Sequence, residues 1–360
     1  MGDIMGRAFV IKLKDVSVAF FLAAIMTAVI VFPDGAVGVK KGLYLCLSAV
    51  IPSLFLFSAL SIFAFYSGAI KIIGKPFSPL SRAIFKLSAE EFSVFLLSLF
   101  SGYPVGARLL AEMYDKKKIE REKAVIMLYY CINAGPAFIV TATGQIMLNS
   151  RTDGYRLLAA HILSSLLLAA IFSLFLKNCN SQRQPVAQNE TLPLSDCFVR
   201  SVSAASTSII SISAFVVLFS GLGEIIASLP LPNAVSNSIR STLEVTVGVS
   251  LFNRHNLSVI AFLLGFAGIS VQFQVLSAAA NLKPNFLKLF LSRLAHGFLS
   301  FIAVEIMEKI WPRNIKTSLP PGSVSAALSG DVSASVALIL MGIVLAAFTF
   351  GDKFKNCMEK

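Results

Sequence analysis

A few charged and polar side chains occur inside long apolar stretches, where each needs a chemical reason to be. Arg108, Glu244, Arg293 and His296 are ionisable members of this group. A charge at membrane depth is costly and is usually functional. Arg293 and His296 lie about one helical turn apart, and two cationic or hydrogen-bonding groups at that spacing suit a dicarboxylate. We therefore predict that Arg108 and Arg293 approach one cavity and hold a small anion.

Each of these side chains also has a purely structural interpretation. Arg108 precedes Glu112 by four residues, so the two can pair across one helical turn, or Arg108 can snorkel to the surface. A neutral His296 can be satisfied by a neighbouring helix. Glu244, in the weakly polar stretch "TLEVTVG" (242–248), is either a site for a coupling ion or proton or an exposed side chain.

The stretch "FLLSLFSGYPVGARLL" (95–110) starts like a membrane helix and is soon interrupted. Gly102, Pro104 and Gly106 are predicted to form the tip of a re-entrant hairpin, because glycine permits positive φ and close approach. A plain turn between helices is the alternative. The hydroxyl of Tyr103 either reaches a substrate or anchors the chain at the membrane interface. Backbone groups left unpaired at membrane depth are tolerable only inside protein or beside water, so the interruption predicts a binding site.

Two further breaks in apolar runs carry neutral polar residues. Within "NAGPAF" (133–138), Asn133 and Gly135 either bring an amide and freed backbone groups to a site or mark a packing kink. Neutral hydrogen-bonding groups can bind a polar solute at lower cost than charges can. Such groups follow Gly268 at alternate positions: Ser270, Gln272 and Gln274.

The composition decides which elements carry these residues. The 360 residues are 56% hydrophobic and only 14% charged, and they include 30 Phe, which indicates a membrane protein with several spans. The apolar runs lack the short alternating strands of a barrel, so the fold class is all-α, a polytopic bundle of about 7–8 transmembrane helices. The net charge of +12 lies in short connections, which indicates membrane topology and not nucleic-acid binding.

The sequence carries no recognisable catalytic or cofactor motif. HExxH, GxSxG and P-loop patterns are absent, and His161, His255 and His296 do not cluster along the chain. The five cysteines show neither CxxC pairing nor metal spacing. We therefore predict a protein that is not an enzyme and that uses no metal or cofactor. Transport energy would come from a gradient or from metabolism that consumes the solute.

The apolar runs divide the chain into two halves joined by a polar linker. The N-terminal run has the basic start of a signal peptide, but its length and poor cleavage site favour a retained helix with a cytoplasmic N-terminus. The stretches 42–51 and 237–252 either cross the membrane or lie flat on it. The predicted segments are an N-terminal helix (1–35), a first repeat (42–177) with a hairpin at 92–114, the linker (178–197), a second repeat (198–311) with a hairpin at 258–282, a loop (312–335) and a C-terminal helix (336–350).

The two interrupted runs match without a gap over seventeen positions when Gly102 is set on Gly268, with five identities. Three crossings separate them, at 119–148, 156–177 and 205–228, and an odd number places the two copies on opposite faces. Inverted repeats with broken helices that meet near the midplane build many secondary transporters. The sequence therefore predicts two re-entrant hairpins that enter from opposite sides.

Four stretches carry a resemblance to a known family: "SGYPVGARLLAEMYDKKKIEREKA" (101–124), "NAGPAFI" (133–139), "FLLGFAGISVQFQVLSAAANL" (262–282) and "SRLAHGFLS" (292–300). The chain resembles the sporulation integral membrane protein family YlbJ over most of its length. The resemblance implies a Gate, or nucleoside-recognition, domain in spore-forming bacteria and a role in spore maturation. It also implies movement of dipicolinic acid from mother cell towards forespore, and distant kinship with concentrative nucleoside transporters, which use paired re-entrant hairpins.

Together with this resemblance, the residues predict a transporter that moves a small anionic metabolite, dipicolinic acid first among the candidates, by alternating access. The alternatives are a permease for nucleosides or other neutral metabolites and a non-transporting subunit of a sporulation membrane complex. The expected partners are the solute and membrane lipid, with a second copy of the chain or other sporulation membrane proteins as further candidates. The expected location is a membrane of the mother cell and forespore.

Overall fold

The computed structural model describes residues 30–176 and 193–312, together with positions 23, 26 and 27. These residues form helices joined by turns, with no strand among them, so the predicted all-α class is confirmed for this part of the chain. Several predicted segments lie wholly or mostly outside the described residues: the N-terminal helix (1–35), the linker (178–197), the loop (312–335) and the C-terminal helix (336–350).

Between Asp34 and Ile310 the described chain contains fourteen helices of four or more residues. The first eight are α1 (Asp34–Tyr66), α2 (Ile70–Ile73), α3 (Ser78–Phe85), α4 (Ala89–Ser101), α5 (Tyr103–Asp115), α6 (Arg121–Leu128), α7 (Ala137–Met147) and α8 (Arg151–Ser173). The other six are α9 (Leu194–Ser228), α10 (Asn233–Leu243), α11 (Val245–Ser250), α12 (Leu257–Phe266), α13 (Gly268–Ala278) and α14 (Phe286–Ile310). α1 contains a π-helical turn at Cys46–Val50, and α7 is π-helical throughout.

Five stretches are long and apolar enough to cross a membrane: Asp34–Tyr66, Arg151–Ser173, Leu194–Ser228, Arg254–Ala278 and Phe286–Ile310. Large aliphatic side chains on their outer faces are exposed, among them Leu56, Leu163 and Leu218. An apolar surface of this extent is expected against lipid and not against water. The remaining apolar elements are shorter than a span, and their arrangement distinguishes this fold.

Contacts between helix ends define one end of the bundle, called end A. Lys86 donates to the carbonyl of Leu176 at 3.0 Å, and Lys118 pairs with Glu90 at 3.5 Å. These contacts bring the first connection after α1 next to the end of α8. The residues at end A are 66–91, 112–123, 173–176, 194–200 and 279–286.

The opposite end of the bundle, end B, is held by ion pairs. Lys41 pairs with Glu224 at 2.8 Å, and Arg254 pairs with Asp153 at 2.7 Å. These pairs join the start of α1 to the end of α9 and the turn before α12 to the start of α8. The residues at end B are 34–44, 147–156, 220–235, 251–258 and 305–311.

α4 and α5 turn back on each other. α4 begins at end A with a capping box, in which Ser88 and Glu91 each accept from the other's backbone N–H. The chain reverses at Gly102, where φ is 91°, a value that favours glycine. α5 then returns to end A, where Asn281 donates to the carboxylate of Asp115 at 2.7 Å. The two outer ends therefore lie together, as the hairpin predicted at 92–114 requires.

A second element that turns back is formed by α10 and α11, within the stretch 237–252. The chain reverses at Glu244, and Gly248 packs against Ser241 so closely that a Cβ at Gly248 would lie 2.9 Å from the Cα of Ser241. α10 starts next to the end of α9, and α11 leads to Arg254, so both outer ends lie at end B. This stretch neither crosses the bundle nor lies flat on it.

The hairpin predicted at 258–282 is wrong, because this segment runs from one end of the bundle to the other. Ser258 donates to Glu305 at end B, whereas the carbonyl of Leu282 accepts from Arg121 at end A. Ala267 and Gly268 both have positive φ, 68° and 67°, and divide the segment into α12 and α13. A glycine can interrupt a helix whether the chain then reverses or continues, and the sequence does not reveal which of the two occurs.

A corresponding broken crossing is formed by α6 and α7. α6 begins at end A, residues 131–135 form a non-helical stretch called the extended segment, and α7 ends at Met147 near end B. Gly144 of α7 packs directly on the backbone of Gly154 of α8, which fixes this end of the crossing. α8 and α14 are unbroken crossings, and each follows a broken one. α9 is an unbroken crossing that starts the second half.

Gly106 tests whether the first hairpin is clamped against the broken crossing. A methyl group there would collide with the carbonyl oxygen of Cys131 and lie 2.7 Å from Cβ of Ser98. Gly106→Ala should lower the free energy of unfolding by about 1–3 kcal/mol through overpacking. The measurement is thermal unfolding in detergent.

Gly223→Ala is the matched control, because the nearest atom to its new methyl group is 3.9 Å away. It should leave the protein as stable or slightly more stable, since alanine favours a helix interior over glycine. Equal melting temperatures for the two variants would contradict the clamped hairpin.

Candidate functional site

A small buried cavity lies where both turning elements and both breaks meet. Its volume is about 20 Å³, which is room for a water molecule and not for a solute. Val50 and Leu54 of α1 contribute apolar walls. The polar or backbone positions in the lining are Tyr103 and Pro104, Glu244 and Thr246, Gly135, and Gln274.

The tip of the first hairpin docks on both broken crossings. The Tyr103 hydroxyl donates to the carbonyl of Leu264, in the last turn of α12, at 2.9 Å. This bond gives a partner to one of the carbonyls that the break at Ala267 frees. Gly135 lies against the backbone of Phe100 and Gly102, so the same tip also packs on the extended segment of the first broken crossing.

The tip of the second hairpin docks on the break between α12 and α13. A Cβ at Gly268 would lie 3.0 Å from the backbone nitrogen of Val245, so the two turns pack without a side chain between them. Glu244 is 1% exposed, and its carboxylate accepts from the backbone N–H of Val247 at 2.7 Å. Within the described residues, no cationic side chain forms an ion pair with Glu244.

The polar side chains of α13 are buried, and their hydrogen bonding is incomplete. Gln274 donates to Ser270 at 3.3 Å, and its side chain also faces the cavity. Gln272 is fully buried, and neither atom of its amide has a hydrogen-bond partner among the described residues. Buried polar groups almost always have a partner, so an orphan amide beside this site indicates a place for water or a ligand.

Arg293 of α14 is fully buried and binds the freed backbone of the first broken crossing. Its guanidinium donates to the carbonyls of Tyr129 at 2.6 Å and Ile132 at 2.5 Å. Carbonyls at the end of a helix carry partial negative charge, so they can hold a cation without an acidic partner. Arg293 also lies 3.1 Å from Nδ1 of His296. The charge thus compensates backbone groups and does not line the cavity.

Two histidines complete this buried cluster. The rings of His161 and His296 lie 4.5 Å apart between centroids. Nε2 of His161 accepts from the backbone N–H of Ala134 at 3.0 Å, and Nε2 of His296 lies 3.3 Å from the carbonyl of His161. Both rings therefore serve the extended segment and its neighbour α8, which matches the structural interpretation of His296.

His161 was missed from the sequence as a partner of His296, although a signal exists. Each histidine lies ten residues after the start of its helix, α8 or α14. Each histidine is preceded by an alanine, Ala160 or Ala295. A serine follows each histidine four residues later, Ser165 or Ser300. Comparison of the spans that follow the two breaks would have found this match.

Asn133 and Arg108 hold other parts of the fold together. Asn133 donates to Ser98 at 3.1 Å, which ties the extended segment to α4. Arg108 lies 3.2 Å from Glu112 and donates to the carbonyl of Ala204 at 3.0 Å. Its guanidinium thus joins α5 to α9, and the interpretation as a pair across one turn is the one seen.

The structure does not bring Arg108 and Arg293 to one cavity, because each finds its own acceptors on a different neighbouring helix. Among the residues predicted for the site, the cavity brings together Tyr103, Pro104, Gly135, Glu244 and Gln274. The other predicted residues are not part of the lining: Gly102, Gly106, Arg108, Asn133, Gly268, Ser270, Gln272, Arg293 and His296. Thr246 and Phe138 line the cavity and were not predicted.

Comparison with known proteins places this geometry in context. The chain is 23% identical, over 341 residues, to the sporulation integral membrane protein YlbJ of Bacillus subtilis (strain 168), covering 83% of this chain and 84% of that protein. This similarity supports assignment to the YlbJ family. No family model matches the chain, and no solved structure matches it.

The similarity to an integral membrane protein and the five long apolar stretches agree that the chain is an integral membrane protein. Within the described residues, no group of three or more His, Cys, Asp or Glu side chains could hold a metal ion. The chemistry available at the cavity is therefore that of hydrogen bonding, helix ends and one carboxyl group.

Replacement of Arg293 tests how much its hydrogen bonds to the first break stabilise the protein. Arg293→Met leaves the carbonyls of Tyr129 and Ile132 without their donor, at about 1–3 kcal/mol for each. A large fall in melting temperature is expected. Arg200→Met, at an exposed position of α9, should change it little. If the two variants melt alike, Arg293 does not support the break.

Proposed function

We propose that the protein is a transporter of a small polar solute in sporulating cells, built as an inverted repeat that works by alternating access. The observation that carries this proposal is the convergence of two hairpin tips, entering from opposite ends, on one buried cavity. Turning elements of this kind bring helix ends and backbone groups to membrane depth, where secondary transporters bind their solutes.

The order of elements supports an inverted repeat. In the first half, α1 runs from end B to end A, a hairpin (α4–α5) enters from end A, a broken crossing (α6–α7) leads to end B, and α8 returns. In the second half, α9 runs from end A to end B, a hairpin (α10–α11) enters from end B, a broken crossing (α12–α13) leads to end A, and α14 returns. Each of these four steps is matched by one of opposite direction, whereas α2 and α3 have no counterpart in the second half.

This assignment pairs elements differently from the sequence match of Gly102 with Gly268. The structural counterpart of the Gly102 turn is the Glu244 turn, and the counterpart of the Gly268 break is the extended segment 131–135. His161 and His296 then occupy corresponding positions in α8 and α14, and their rings meet between the halves. A contact between equivalent residues is expected near the axis that relates two repeats.

The small size of the cavity corresponds to a closed state. Tyr103 and Glu244 stand at the two tips that would have to part from the breaks for a solute to enter. Movement of either hairpin as a unit away from its neighbours would give access from one end at a time. The closed cavity then represents the state between the two openings.

Dipicolinate is the substrate that the family resemblance implies, and we propose it as the first solute to test. A second candidate is a neutral, nucleoside-like solute, because the described lining contains Tyr103, Thr246 and Gln274 but no Lys or Arg. Hydroxyl and amide groups of this kind recognise polar solutes without a net charge.

Flux into proteoliposomes tests the proposal. Radiolabelled dipicolinate should enter vesicles containing the protein with saturable kinetics, and excess unlabelled dipicolinate should compete better than uridine. Stronger competition by uridine would favour the neutral permease. The absence of saturable flux of either solute, together with co-purification of other sporulation proteins, would indicate a non-transporting subunit.

Tyr103→Phe should alter that flux through the bond that closes the first tip. Loss of one hydrogen bond of about 0.5–1.5 kcal/mol should change the exchange rate by about two- to tenfold. Tyr155→Phe, at an exposed position of α8 near end B, is the matched control and should behave like the wild type. Equal rates for all three proteins would remove Tyr103 from the mechanism.

The charge of end A predicts its orientation. Basic residues cluster there: Lys71, Lys75, Lys86, Lys116, Lys117, Lys118, Arg121 and Lys123. Because cytoplasmic connections favour Lys and Arg, end A should face the cytoplasm in which the protein is made. In a cysteine-free background, an impermeant maleimide added outside intact cells should label Asn253→Cys at end B and not Lys117→Cys at end A. The reverse pattern would contradict this orientation.

A further inference from the structure

We propose that Glu244 is a proton-binding site that couples the movement of the solute to the movement of a proton. This inference rests on the proposed transport function and names its coupling ion. Glu244 was open to interpretation from the sequence as an exposed side chain, and that alternative is excluded by its 1% exposure. It is also the one carboxyl group in the described lining of the cavity.

The basic residue nearest to Glu244 on its own hairpin is already bound elsewhere. Arg240 lies one turn earlier, and its carbonyl accepts from the backbone N–H of Glu244. Its guanidinium, however, lies 2.6 Å from Glu224, a residue of α9 that also pairs with Lys41 at 2.8 Å. Arg240 thus belongs to the ion-pair network at end B and does not compensate the carboxyl group at the tip.

The groups that face Glu244 from neighbouring elements do not supply a positive charge either. The ionisable ones are Cys46 of α1 and Tyr103 of α5, both neutral in their ordinary protonated forms. The thiol of Cys46 points to the carbonyl of Ser213 at 3.7 Å, and the hydroxyl of Tyr103 to that of Leu264. A buried carboxylate without a cationic partner is costly, so the closed cavity favours the protonated acid.

The same turn also contains a group that favours the ionised acid once water reaches it. The backbone N–H of Val247 points at the carboxyl oxygen from 2.7 Å, and a hydrogen bond from an amide stabilises a carboxylate. Glu244 therefore has reason to be neutral when the cavity is closed and ionised when it is open. A proton taken from water on one side would be carried through the closed state and released to water on the other.

A proton suits this lining better than a metal cation. Ions such as Ca²⁺ take six to eight oxygen ligands. The described lining offers one carboxyl group and the side-chain oxygens of Tyr103, Thr246 and Gln274, fewer than such a shell needs. One acidic group is sufficient for a proton, which needs a single base.

Infrared spectroscopy tests the site without any solute. The purified full-length protein in lipid nanodiscs at neutral pH should show the carbonyl stretch of a protonated carboxylic acid. Glu244→Gln should remove this band. Glu305→Gln, which changes an acid at end B outside the cavity, should retain it. A band that persists unchanged in Glu244→Gln would overturn the proposal, whatever the transport assay shows.

Flux measurements test the coupling. In proteoliposomes with labelled dipicolinate outside, a pH that is lower outside than inside should drive accumulation by the wild type and by Glu305→Gln. Glu244→Gln should lose this accumulation at least tenfold while exchanging labelled for unlabelled solute at a slower, still measurable rate. Accumulation driven by Na⁺ instead, or pH-driven accumulation by Glu244→Gln, would overturn the proton site. No flux by the wild type would instead count against dipicolinate transport, and the infrared result would stand separately.

Discussion

The need to give every backbone polar group a partner at membrane depth is the constraint on which this structure depends. Each of its four interruptions frees carbonyls and N–H groups far from water, and side chains give partners to these groups at three of them. Arg293 donates to two carbonyls of the extended segment, Tyr103 to a carbonyl before the second break, and Glu244 accepts at the second tip. Irregular backbone is permitted inside a membrane protein only where such partners exist.

The two kinds of partner divide the interior into a supporting region and a responsive one. Around Arg293, two guanidinium nitrogens donate to the carbonyls of Tyr129 and Ile132, while Nε of Arg293 and Nδ1 of His161 have no partner among the described residues. The direct bonds from Arg293 to the broken backbone make this the supporting region. Around Glu244, Gln272 and Gln274, groups are buried with partial or no bonding among the described residues. A site that must bind and release a solute requires this second condition, since a fully satisfied lining would gain nothing from a ligand.

Composition and apolar run length were sufficient to predict helices, membrane insertion and the hairpin at Gly102, because these follow from local properties. Five predicted residues line the cavity for the same reason: breaks and polar groups in apolar runs are visible in the sequence. The path of the chain after each break was not predictable. Gly102 and Gly268 look alike, yet one reverses the chain and the other continues it, since the outcome depends on contacts with distant helices. The partners of Arg293 and the bond from Arg108 to Ala204 were unpredictable for that reason too, whereas the pair of Arg108 with Glu112 follows from their spacing of four residues.

The contact between the rings of His161 and His296, which are tilted by 32°, has a consequence for how such a molecule would work. In the proposed inverted repeat, these two like side chains occupy corresponding places and form a junction that looks the same from either end. A rocking motion about this junction would then meet nearly equal resistance in both senses. The proposed transporter would therefore have little built-in preference for import or export, and the gradients of solute and proton would set the net flow.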